Sequence, residues 1–250
     1  MKCWRIKSLF ILFIYVCFCV PLTAAEKLIL TAVKSGDEAT VKTYIKNKGD
    51  VNFHDIDNNS LLFHALTNKH TNIATLLLKK GANPNIKNQY GAPVLITAAG
   101  SGYKEVVKLL LQKGADANAR FSRYDNVTAL MLAAQDGYDD IVDVLIDAGA
   151  DINAETVNGD TALIAASAKG HLSIVKKLVG KGADPNVRSE TGYSALFVAI
   201  SEDNPELVQY LLDNGADPNM SDDNGDTALK FAKRIKNHDI ISFIKKAGGK

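Results

Sequence analysis

Gly182-Ala183-Asp184-Pro185-Asn186 closes a pattern that returns along the whole chain. Its other copies end in Asp50-Val51-Asn52, Asn83-Pro84-Asn85, Asp116-Ala117-Asn118, Asp151-Ile152-Asn153 and Asp217-Pro218-Asn219. The intervals between these tails are 33, 33, 35, 33 and 33 residues. A fixed period of this size means one supersecondary unit stacked on copies of itself. No single copy can bury its apolar face alone, so nearest-neighbour stacking must supply the stability.

The residues between two tails show what the unit is. In Asn158 to Val187, Thr161 precedes Ala162-Leu163-Ile164-Ala165-Ala166, and its hydroxyl suits an N-cap. A short helix follows and runs to Gly170. A second starts near His171 and places Ile174, Val175, Leu178 and Val179 at helical spacing. Gly182 supplies the left-handed stop. The tail then enters an extended finger that turns at Gly192 toward the next cap, Ser194.

Other units carry the same marks: caps at Ser60, Pro93, Thr128, Thr161, Ser194 and Thr227, and first-helix leucines at Leu62, Leu95, Leu130, Leu163, Leu196 and Leu229. A small residue recurs where two helices approach, at Ala32, Ala65, Ala98, Ala133, Ala166, Ala199 and Ala232. The expected fold is an all-α repeat solenoid of about seven helix-turn-helix units over residues 26–250, joined by hairpin-like fingers. Its first and last units act as caps.

Asn158-Gly159-Asp160-Thr161-Ala162-Leu163, Lys169-Gly170-His171, Ile174-Val175 and Gly182-Ala183-Asp184-Pro185-Asn186 resemble the ankyrin-repeat family. The resemblance covers essentially all of 26–250. Departures are Pro93 for the usual Thr, Lys69 and Asp203 for the inter-helix Gly, and Met131, Ile164 and Phe197 in place of a His. It implies binding of another protein on a concave face built from fingers and first-helix ends. Mapped onto this chain, that face contains Gln89, Tyr90, Arg120, Gln135, Asp136, Arg188, Glu190, Tyr193, Ser201 and Glu202.

The ends bound the location. Lys2, Arg5 and Lys7 precede an uncharged apolar run from Leu9 to Val20, then Pro21-Leu22-Thr23-Ala24-Ala25. This is the layout of a signal peptide over residues 1–25, cleaved after Ala25. The run is short for a membrane span, which takes roughly 20 apolar residues; an uncleaved anchor is the rival reading. Cys3, Cys17 and Cys19 all lie in that segment, so the remaining chain has no thiol chemistry. Removing three bases takes the formal charge from 29 − 28 = +1 to 26 − 28 = −2. A near-neutral chain carries no signature of nucleic-acid binding. The expected product is an exported, bacterial-type member, periplasmic or secreted and monomeric by itself.

One finger breaks the period. Asn118 to Thr128 takes ten residues where the other fingers take eight, and the insertion falls in Arg120-Phe121-Ser122-Arg123-Tyr124. Aromatic and arginine side chains dominate interface hot spots. The candidate partner site is therefore Arg120, Phe121, Arg123 and Tyr124, with Tyr90, Gln89, Arg188 and Tyr193 around it. Phe121 has no obvious core position in a finger.

Other clusters have plainer readings. Asp139, Asp143 and Asp147 share a helix face, but acids at i, i+4 on a helix do not wrap a calcium ion. Pairing between repeats explains them better: Asp139 aligns with Lys104, Asp143 with Lys108 and Lys176, and Asp136 with Lys169. The basic last unit reads as a solubilising cap, with contact to anionic membrane as the alternative. The five histidines have no zinc-ligand spacing, and no catalytic motif is present. The expected function is a protein-binding scaffold, not an enzyme, without cofactor or metal. An inhibitory or immunity-type protein that occludes a partner enzyme or toxin is the alternative.

Overall fold

The computed structural model describes residues 22–250. Fourteen helices among them pair into seven helix-turn-helix units. The first helices are α1 (Ala24–Ser35), α3 (Leu61–Thr67), α5 (Val94–Gly100), α7 (Ala129–Gln135), α9 (Ala162–Ala168), α11 (Ala195–Ser201) and α13 (Ala228–Ile235). The second helices are α2 (Glu38–Lys46), α4 (Thr71–Lys79), α6 (Lys104–Gln112), α8 (Asp139–Asp147), α10 (Leu172–Gly180), α12 (Pro205–Asp213) and α14 (His238–Lys246). First helices stack on first helices and second on second, giving two layers with one continuous core.

The recurring alanines and first-helix leucines are all buried, Leu163 at 1% exposure and Ala166 at 0%. Ser60, Thr128, Thr161 and Thr227 accept the expected capping bonds from the backbone three residues on. Ser194 does not: it sits at the cap of α11 without a side-chain bond. The fingers form isolated antiparallel bridges in four places, among them Phe121 with Val127. Among the described residues no helix is long and apolar enough to cross a membrane.

The tail motif that sets the period is also the clasp between units. Asp151 Oδ1 accepts from the backbone of Asn153, shaping the turn. Asn153 then donates through Nδ2 to the Gly182 carbonyl and accepts from the Asp184 amide, both one repeat further on. The same two-bond clasp is made by Asn52, Asn85, Asn118, Asn186 and Asn219. Asn118 makes it across the long interval, so the two extra residues are absorbed entirely within the finger.

Each inter-helix turn passes through a left-handed residue: Gly36, Lys69, Gly102, Gly137, Gly170, Asp203 and Lys236 all have positive φ. At Gly137 an added Cβ would lie 2.8 Å from the His171 ring of the next unit. That histidine reaches back to the Gln135 carbonyl at 3.0 Å. A non-glycine residue in this conformation costs about 1–2 kcal/mol, partly offset by glycine's greater unfolded-state entropy. Lys69→Gly (φ 65°) is therefore expected to stabilise the protein by about 1 kcal/mol. Asp203→Gly should be close to neutral, because Asp203 accepts a 2.7 Å bond from Asn237 that glycine would lose. Parallel thermal melts of the two variants check this; equal shifts would contradict it.

Residues 1–21 of the expected export segment lie outside the described residues. Helix α1 begins at Ala24, capped by Thr23 in a reciprocal box with Glu26. The expected cleavage after Ala25 falls in its first turn.

Candidate partner-binding groove

The long finger is closed by a turn with two successive left-handed residues, Asp125 (φ 57°) and Asn126 (φ 58°), and a Val127 N–H to Tyr124 carbonyl bond. That pattern marks a type I′ hairpin turn, which favours Asn and Asp. Asp125 also braces the finger to the next one. Its carbonyl accepts from the Val157 amide, and its carboxylate accepts from Asn158 Nδ2 at 2.5 Å. Arg120 Nη1 adds a 2.7 Å bond to the Glu155 carbonyl.

This bracing divides the predicted site residues. Phe121 is half-buried and packs against the core with Tyr124 stacked on it at 6.0 Å, correcting the expectation that it lacked a core position. Hairpin pairing with Val127 is what turns it inward. Arg120 is engaged in the finger-to-finger bond. Arg188 binds the Gly192 carbonyl and Asp223. Tyr193 is half-buried and stacks parallel to Phe197, with Phe231 beside both. Arg123, Tyr124, Gln89 and Tyr90 point to solvent, Tyr124 at 63% exposure.

Beside Tyr124, between units four and five, lies a groove of about 620 Å³. The long finger forms one wall through Arg123, Tyr124 and Asp125. Met131, Leu132 and Gln135 of α7, and Ile164, Ala165 and Ala168 of α9, line its helical side. Asp160 and Lys169, with Val127, Thr156, Asn158 and Thr161, complete it. Tyr124 and Arg123 thus belong to the groove; Tyr90, Gln89, Arg188 and Tyr193 do not line it.

Asp160 was missed by sequence reasoning. Its carboxylate is half-buried and has no hydrogen-bond or ion-pair partner among the described residues. Burial, reinforced by the nearby Asp125 charge, holds it above the usual carboxylate value. The equivalent Asp226 of the last unit is paired with Lys230, four residues on, and with Arg234. At Asp160 the fourth residue on is Ile164. An acid at this position without a base one turn later was the available signal.

The acidic face of unit four is paired across repeats, though with shifted partners. Lys177 takes both Asp139 (2.9 Å) and Asp143 (2.6 Å), and Lys104 takes Asp140 (3.0 Å). The alignment named Lys104 as well, but opposite Asp139, and pointed otherwise to Lys176, Lys108 and Lys169. Helical side chains lean toward the N-terminus, so a given spot is covered by a residue about one position further along. Lys176 lies over the Tyr210 ring instead.

Comparison with known proteins bears on this architecture. The family described as Ankyrin repeats (3 copies) matches at residues 29–121, 119–189 and 163–249. The human ASB11 ankyrin repeat domain superposes with a TM-score of 0.76 at 26% identity, covering 89% of this chain and 98% of that one. The mouse B-cell lymphoma 3 protein homolog is 33% identical over 90 residues, 36% of this chain and 20% of that protein. The Caenorhabditis elegans ankyrin repeat and KH domain-containing protein mask-1 is 30% identical over 101 residues, 40% of this chain and 4% of that protein. The chain therefore spans a fifth or less of the length of these two relatives. With the family pattern running from residue 29 to 249 over seven stacked units, the chain belongs to the ankyrin-repeat family.

Proposed function

We propose that this chain is an exported scaffold that seats a partner protein on its finger side, at the groove between units four and five. Ankyrin repeats indicate a protein–protein interaction scaffold. The observation that carries the location is Tyr124: an exposed aromatic on the longest finger, held by a braced turn at the edge of the groove. Ordering a loop before binding lowers the entropy lost on association, and a rigid aromatic with an adjacent arginine is the composition of a hot spot. Val157, 58% exposed on the next finger, adds an apolar side chain beside the braced turn, where its amide donates to the Asp125 carbonyl.

The test is affinity capture from extract of the producing cells, comparing the native protein with Arg123→Ala/Tyr124→Ala. Phe121 stays intact because it packs against the core. The double variant is expected to keep its thermal stability and lose about 2 kcal/mol or more of partner affinity. A partner held equally by both forms would overturn the location. A captured enzyme silenced by one-to-one binding would make the role inhibitory.

Export rests on the basic start, apolar run and small residues of 1–25. Intact mass of protein from the producing cells tests it. A chain starting at Glu26 supports the reading and removes the Thr23 cap from α1. A mass that retains the apolar run supports the anchor instead.

A further inference from the structure

We infer that the groove between units four and five accepts a single lysine or arginine side chain projected by the partner, its aliphatic stem on Leu132, Ala165 and Ala168 and its cationic head at Asp125 and Asp160. This deepens the proposed function and rests on it. Two features of the groove define the occupant. Its helical side is mostly apolar, from α7 and α9, and its finger side presents the Asp125 and Asp160 carboxylates among Arg123, Thr156 and Asn158. A purely apolar side chain would bury Asp160 without a partner, and a buried unpaired charge is strongly unfavourable. An acidic one would meet two like charges inside, with counter-charges only at the exposed Arg123 and Lys169 on the rim. Long basic side chains combine an apolar stem with a charged head, so they match both surfaces.

The state of Asp160 points the same way. Asp125 already accepts from Asn158, whereas Asp160 has no partner among the described residues and is held above its ordinary pKa by burial and by Asp125. A cation beside both relieves the repulsion and favours the charged form. The rim adds selectivity. Arg123 and Lys169 also line the groove, so a run of bases is repelled. One basic residue within a neutral or acidic segment is the favoured ligand.

The probe is a blocked leucyl-arginyl-leucine peptide, compared with the same peptide carrying norleucine in place of arginine. Backbone amide resonances of the protein are followed during titration. The arginine peptide is expected to shift Tyr124, Asp125 and Ile164 and to lower the carboxyl pKa of Asp160. Asp160→Asn should weaken it about tenfold, the scale of a lost partly buried charge pair. This variant should fold, because the equivalent position is Asn59, Ala92, Val127 or Tyr193 in other units. Equal shifts from both peptides, shifts elsewhere, an unchanged affinity in Asp160→Asn, or no saturable binding would overturn the inference. Partner capture that depends on Tyr124 but ignores Asp160 would leave the docking site standing and remove only the cationic occupant.

Discussion

Leu163→Ala is expected to lower the unfolding free energy by about 3 kcal/mol, within the 2–5 kcal/mol typical of a buried leucine. Leu163 is 1% exposed in α9, and α9 stacks on α7 on one side and α11 on the other. Truncation therefore opens a void in a unit that supports two interfaces. In a linear array, stability is close to a sum of unit and interface contributions. A weakened fifth unit separates the stack into a block of four units and a block of two, and the shorter block falls below the roughly three repeats needed for independent stability. The expected denaturation curve is both shifted to lower denaturant and broadened. Leu229→Ala in the last unit, where the leucine has one stacking neighbour, should shift it less. A larger loss at Leu229 than at Leu163 would contradict nearest-neighbour stacking as the source of stability.

The second large effect concerns the clasp. Asn118→Ala is expected to cost about 2 kcal/mol, from two inter-repeat bonds worth about 1 kcal/mol each. The Gly149 carbonyl and the Asp151 amide lose their partner together, and no other side chain at this tail can replace both. Amide exchange separates this account from a general loss of stability. Asp151 should exchange faster by more than the global change, whereas Asp184, clasped by Asn153, should follow the global change alone. Equal acceleration at both amides would show that the clasp does not act locally. Combined with Leu163→Ala, the cost should be near-additive, because the two side chains share no partner.

Much of this architecture was legible because the period is written into residues with backbone roles. Thr161 can cap, Gly182 can adopt positive φ, and Ala166 is small where helices meet; each follows from one residue's chemistry. The Asn of each tail was visible as a repeat, but its purpose was not, since its partners are backbone groups 29–33 residues away that any sequence would supply. The candidate site was legible only in part. The insertion drew attention to Tyr124 and Arg123, which line the groove. It misdirected attention to Phe121, because hairpin pairing with Val127 decides which finger side chains turn inward. The groove itself joins Asp125 to Asp160 across two repeats, and no local motif describes that juxtaposition.

Photo-crosslinking tests the central claim most directly. Benzoylphenylalanine is placed at Tyr124 on the long finger or at Gln209, exposed on α12 of the opposite layer, and the protein is irradiated with its captured partner. A partner adduct from position 124 and none from 209 is the predicted result. An adduct from 209 alone would place the partner on the second-helix face and contradict the account.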